Sequence, residues 1–165
     1  MPLSELLITE YDGELANTKR VLERVPLDQW DWKPDSKSGS LGWMASHVAT
    51  LPGFAIAICD SNHYEIEGAA RTNVDKPADL LKVFEQVGKD ARAAVSQVSD
   101  EQMKEKWLLT WKGQTIMELP RYAALRGACF NHLIHHRGQL TTYLRALGAP
   151  VPGLYGPSAD EGFGQ

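Results

Sequence analysis

Asn131-His132-Leu133-Ile134-His135-His136-Arg137-Gly138-Gln139 lies inside a long stretch with helical periodicity. His132 and His136 are four residues apart, so on a helix they share one face, one turn apart. Imidazole nitrogens on neighbouring turns can be aimed at a single divalent ion. The apolar residues Leu125, Cys129, Leu140, Tyr143 and Leu147 recur at threes and fours on or near that face. This pattern predicts that both histidines face the core. Core-facing imidazoles need polar partners, because unpaired buried polar groups are costly.

Two known helical metal motifs do not fit. The zinc-protease helix with this spacing carries Glu after its first His, and here that residue is Leu133. The general base of that class is therefore missing. A di-iron bundle needs Glu three residues before a His. Cys129, Leu133 and Met44 stand three residues before His132, His136 and His47. One metal ion is the remaining reading, and its third ligand must come from elsewhere in the chain. Composition alone does not choose between His47 and His63, and a lone His on an apolar face is often only a satisfied core residue.

The chain has 165 residues, enough for one domain with a sizeable core, taken here as residues 1–165. Its 17 Lys and Arg against 21 Asp and Glu leave a net charge of −4, and nothing in it suggests the basic, clustered footprint of a nucleic-acid binder, so no nucleic-acid partner is expected. No apolar run is expected to span a bilayer, so no membrane partner is expected. Met1-Pro2-Leu3-Ser4-Glu5 lacks the basic-then-apolar pattern of a signal peptide. Cys59 and Cys129 do not make a disulfide framework, and a reducing cytoplasm is the expected compartment.

Four helical segments are predicted. The first runs from Leu3 to Val25, with Leu3, Leu6, Leu7, Leu15, Thr18, Val21, Leu22 and Val25 at helical spacing, and Pro26 ends it. A polar connection, Leu27 to Ser40, carries Trp30 and Trp32, which should dock over one end of the domain. Ser40 is the expected N-cap of a second helix, Leu41 to Asp60, kinked at Pro52. His63 to Pro77 reads as irregular. A third helix spans Asp79 to Val98, and Ser99-Asp100-Glu101-Gln102 caps a short turn. Lys106 to Ile116 has strand character around Lys112-Gly113, so a small hairpin can precede the last helix. That helix is predicted over Met117 to Leu147, with Pro120 in its first turn and Gly148 ending it. The tail, Ala149 to Glu161, should cross the surface and dock through Leu154 and Tyr155. The fold class is all-α, a four-helix bundle.

His132-Leu133-Ile134-His135-His136-Arg137-Gly138-Gln139, with Leu41-Gly42-Trp43-Met44-Ala45-Ser46-His47 and Tyr155-Gly156-Pro157-Ser158-Ala159-Asp160-Glu161, resembles the DinB-like (YfiT-like) superfamily. The resemblance covers essentially the whole chain. It implies an up-down-down-up four-helix bundle, a metal held between helices two and four, and a homodimer. It implies His47 as the upstream ligand beside His132 and His136, holding one divalent ion: nickel, zinc, iron or manganese. Some relatives transfer low-molecular-weight bacterial thiols to electrophiles, and others isomerise or hydrolyse thiol conjugates. The function implied is a metal-dependent thiol S-transferase acting on small electrophiles. The alternatives are a metal-dependent hydrolase and a non-catalytic metal-binding stress-response protein.

Three neutral imidazoles with an open position make a catalytic-type site. Gln139, three residues after His136, is a candidate to support a ligand from behind. Trp43, four before His47, either walls the pocket or packs in the core. His135 points roughly 100° away from its neighbour and should meet the tail or a dimer partner. Arg137 is expected to anchor to the tail or interface, through Asp160 or Glu161. Cys129 reads as a small core residue.

Overall fold

A computed structural model describes residues 1–70 and 72–162; Arg71 and residues 163–165 lie outside the described residues. The chain is mostly helical with one small sheet. In chain order the elements are α1 (Leu3–Leu22), α2 (Leu41–Thr50), α3 (Phe54–Asp60), β1 (His63–Glu65), α4 (Leu80–Ser96), α5 (Asp100–Lys104), β2 (Lys106–Trp111), β3 (Gln114–Pro120), α6 (Arg121–Ala124) and α7 (His132–Ala146). A π-helical turn, Leu125–Asn131, joins α6 to α7.

The helices end where their residues dictate. Ser40 caps α2 by accepting the Trp43 N–H at 3.1 Å. The preceding N–H groups of Leu41 and Gly42 go to the carbonyls of Trp32 and Trp30, both at 2.8 Å. Thus the Leu27–Ser40 connection is docked by its backbone as well as by its tryptophans. A Cβ on Gly42 would collide with the Trp30 indole, so only glycine lets that ring lie on α2. Pro52 breaks the second segment into α2 and α3 through a 3-10 turn, Leu51–Gly53, as expected. Ser99 and Gln102 form a reciprocal capping box on α5. Gly148, at φ 72°, closes α7, and the Ala149 N–H returns to the Leu144 carbonyl at 3.0 Å.

α4 packs on α1, α2 and α3, while α7 packs on α2 and α1. Two clusters of buried side chains fill the interior. One gathers Tyr11, Ile58, Val95, Trp107 and Phe130 beneath the sheet. The other gathers Leu22, Leu41, Val48, Leu133, Leu140 and Leu144 between α1, α2 and α7. Each fully buried leucine there contributes about 1.5–3 kcal/mol. Leu6, placed on the inner face of α1 by its spacing, is instead half exposed; Tyr11 and Glu14 occupy that face.

The purely α reading is corrected by the three-stranded sheet, in the order β1-β2-β3. β2 and β3 form the expected hairpin, but β3 reaches Pro120, so Met117 to Pro120 is strand and not helix. The physical reason is pairing: Leu109 faces Met117 and Trp107 faces Leu119, while Pro120 has no N–H to offer a helix. His63 to Glu65, expected to be irregular, pairs parallel with β2, with Glu65 opposite Thr110. The Glu65 carboxylate also accepts the N–H groups of Lys112 and Gly113 at 3.1 and 3.2 Å, which ties β1 to the hairpin turn. Leu41–Asp60 is long and apolar enough to cross a membrane by length and composition alone. Here it is broken at Leu51–Gly53, and over half of it is buried within the protein.

The tail docks through Leu154 and Tyr155 as expected, but its acids pair with arginines other than Arg137. Leu154 packs against the core, and the Tyr155 hydroxyl reaches Glu14 at 2.7 Å. Asp160 pairs with Arg145, and Glu161 with Arg20 and Arg24. Arg137 therefore does not hold Asp160 or Glu161. It is buried and bonds the Glu14 carboxylate, the Thr18 hydroxyl and the Tyr155 hydroxyl.

Candidate metal centre

α2 carries His47, and α7 carries His132 and His136. One candidate ligand atom from each lies within 4.8 Å of the others. The Nε2 atoms of His132 and His136 are 3.0 Å apart. The His47 ring sits 4.5 Å from that of His136 and 5.3 Å from that of His132, nearly edge-on to both. His63 is not part of this group. Its Nε2 lies 2.7 Å from the Thr110 hydroxyl in the sheet.

The three histidines are half-buried at the α2–α7 seam. Of the apolar residues expected on or near the face of His132 and His136, Leu125 and Cys129 in the π-helical turn and Leu140 and Tyr143 after it are buried, and Leu147 is half-buried. The two α7 histidine rings themselves meet His47 of α2.

Burial, and secondarily the neighbouring His136, holds the His132 pKa below the ordinary histidine value; the Ala128 carbonyl partly offsets this. A lowered pKa favours the neutral ring, which is the ligand form. His136 places Nδ1 2.6 Å from the Gln139 Oε1. Trp43 stacks on His47 at 5.2 Å with 17° between planes, and it is 53% exposed, so it is no core residue. A Cβ on Gly39 would stand 2.5 Å from the Trp43 ring, so glycine is what admits the indole there. His135 is exposed with its ring 4.9 Å from His136. Cys129 is fully buried, its thiol donates toward the Leu51 and Pro52 carbonyls, and burial pushes its pKa up to about 12. It is a core residue and not a ligand.

The donor set fits a divalent ion. Two nitrogens each bonded at about 2.1 Å to one ion lie roughly 3.0–3.4 Å apart, and the Nε2 pair meets that separation. Imidazole suits nickel, zinc and iron better than manganese, which prefers oxygen. Among the described residues no Cys, Asp or Glu joins the three histidines.

The sequence profile of the DinB family matches residues 3–162. The chain belongs to the DinB family. An uncharacterised relative, YrdA of Bacillus subtilis strain 168, is 24% identical over 160 residues, covering 93% of this chain and 89% of the relative. The crystal structure of a DinB-like protein from Bacillus subtilis, YjoA, has a TM-score of 0.70 at 22% identity, covering 90% of this chain and 97% of that one. A DinB-like protein from Bacillus cereus has a TM-score of 0.71 at 21% identity, covering 92% and 97%. These likenesses show that this chain has the fold of DinB-like proteins.

Sequence reasoning missed three features of the region. Glu14 on α1 was not tied to Arg137, although charge in an otherwise apolar face was a usable signal. Gly39 was not read as a seat for Trp43. The π-helical turn has no composition of its own and left no signal.

Proposed function

We propose that this DinB-family protein binds one divalent ion through His47, His132 and His136 and transfers a low-molecular-weight thiol to a small electrophile. The observation that carries the metal half is the convergence of three imidazole nitrogens from α2 and α7 within 4.8 Å. Three neutral ligands leave two positive charges uncompensated, which favours an anionic fourth group such as a thiolate. When bound, a divalent ion supplies Lewis acidity that lowers the pKa of a thiol or water at its open side. Trp43, exposed beside His47, walls that side and offers an apolar surface to the electrophile. The choice of a thiol rests on the family resemblance.

Hydrolysis is the second reading, and the same three-ligand site supports it with water in place of thiol. A purely structural metal would need a closed site, and the lack of a fourth His, Cys, Asp or Glu among the described residues speaks against it. The same reading includes one domain over 1–165 in the up-down-down-up bundle, a cytoplasmic homodimer, and no nucleic-acid or membrane partner. Sedimentation should give about twice the 18.3 kDa chain mass; a single 18.3 kDa species at micromolar concentration would refute the dimer.

The assay incubates metal-loaded protein with a panel of bacterial thiols and a generic electrophile. Thiol loss should be fast with wild type and should fall to background with His136→Ala. Equal rates for the two proteins across the panel would reject thiol transfer.

A further inference from the structure

The geometry points to Gln139 as a positioning residue that sets which nitrogen His136 offers. We propose that its side-chain oxygen holds the His136 proton on Nδ1 and so bares Nε2 toward His132. The Nδ1–Oε1 distance is 2.6 Å. A carboxamide oxygen only accepts, so Nδ1 must donate. A neutral imidazole has one N–H, and its other nitrogen then presents a lone pair. That nitrogen, Nε2, is the one 3.0 Å from His132 Nε2.

The bared His136 Nε2 faces His132 Nε2 at 3.0 Å, where it accepts a proton from that ring or shares a cation with it. A glutamate would accept the same proton; glutamine does so without adding charge to the set.

The metal half of this inference rests on the ligand set proposed above, whereas the tautomer half stands alone. The experiment separates them. Long-range 1H–15N spectra of the metal-free protein, at a pH where histidines are neutral, read each ring's tautomer directly. Competition with a chromogenic chelator reads zinc affinity. The variants are Gln139→Met, which keeps bulk and removes the acceptor, and Gln139→Glu, which keeps the acceptor. Wild type and Gln139→Glu should show His136 as the Nδ1–H form and bind zinc tightly. Gln139→Met should shift His136 toward Nε2–H and weaken zinc binding about 10–100-fold. Melting curves check each fold, and Gln139→Ala is read in the same way if the methionine variant does not fold. An unchanged tautomer and affinity in Gln139→Met would overturn the proposal, as would equal losses in Gln139→Met and Gln139→Glu. If the tautomer shifts as stated while wild type binds no zinc, the positioning role stands and the metal-binding reading falls.

Discussion

The Arg137 guanidinium lies 2.6 Å from the Glu14 carboxylate, with only 1% and 11% of the two side chains exposed. Arg137 directly follows His136, so one turn of α7 presents a metal-type ligand to α2 and a buried cation to α1. Tyr155 bridges the pair: its hydroxyl donates to Glu14 and accepts from Arg137 Nη2 at 2.5 Å. The pair fixes the rotation of α7 about its axis and ties the tail to that rotation.

Removing one partner of such a buried pair leaves an uncompensated charge. Arg137→Ala should therefore cost about 3–5 kcal/mol of stability. Urea unfolding measures it. A loss under about 1 kcal/mol would mean that the pair does not hold α7 in place.

Gly42 and Trp30 should be coupled. A methyl at position 42 collides with the indole, so Gly42→Ala should cost about 1–3 kcal/mol through overpacking. In a Trp30→Ala background the same substitution should cost much less, because the colliding ring is gone. Denaturation midpoints of the four proteins in this cycle give the coupling. Equal costs in both backgrounds would remove the steric explanation.

Glu65 predicts an acid-sensitive sheet. The Glu67 N–H foremost, then the Thr110 hydroxyl and the Gly113 and Lys112 N–H groups, hold its carboxyl at about 2 against an ordinary 4.5. The folded pKa is depressed, so its stabilising effect is fully present above about 4.5 and is lost as pH falls toward 2. The Tm difference between wild type and Glu65→Gln should be constant above pH 5 and shrink steadily below it. A difference independent of pH down to 2 would contradict this.

Trp43 should report on the site. It is one of five tryptophans and the one stacked on His47. Nickel, an open-shell ion, should quench the fluorescence of a ring that close to its ligand. Trp43→Phe should abolish most of the nickel-dependent quenching. Quenching that persists unchanged in this variant would place the ion away from His47.

The long helices were legible because burial of one face imposes a period that survives in the residues. The caps at Ser40, Ser99 and Gly148 were legible because each answers a local backbone need. β1 was not, since three residues gain strand geometry only from Leu108 to Thr110, which are distant in the chain. Met117 to Pro120 continued an apolar pattern shared by helix and strand, and pairing with β2 decided between them. Arg137 had several acids to choose from, and charge alone does not say which is near. The two α7 histidines were legible from spacing, whereas His47 could be chosen over His63 only through family resemblance. That their rings meet His47 depends on the packing of α7 against α2, which is distant in the chain.

The most direct test of the three-histidine site is metal content. Natively purified protein and the variants His47→Ala, His132→Ala, His136→Ala and His63→Ala are dialysed and analysed for divalent metals, with circular dichroism to confirm folding. Wild type and His63→Ala should hold one ion per chain, and each of the other three should lose it. Full stoichiometric binding in folded His132→Ala or His136→Ala would contradict the account.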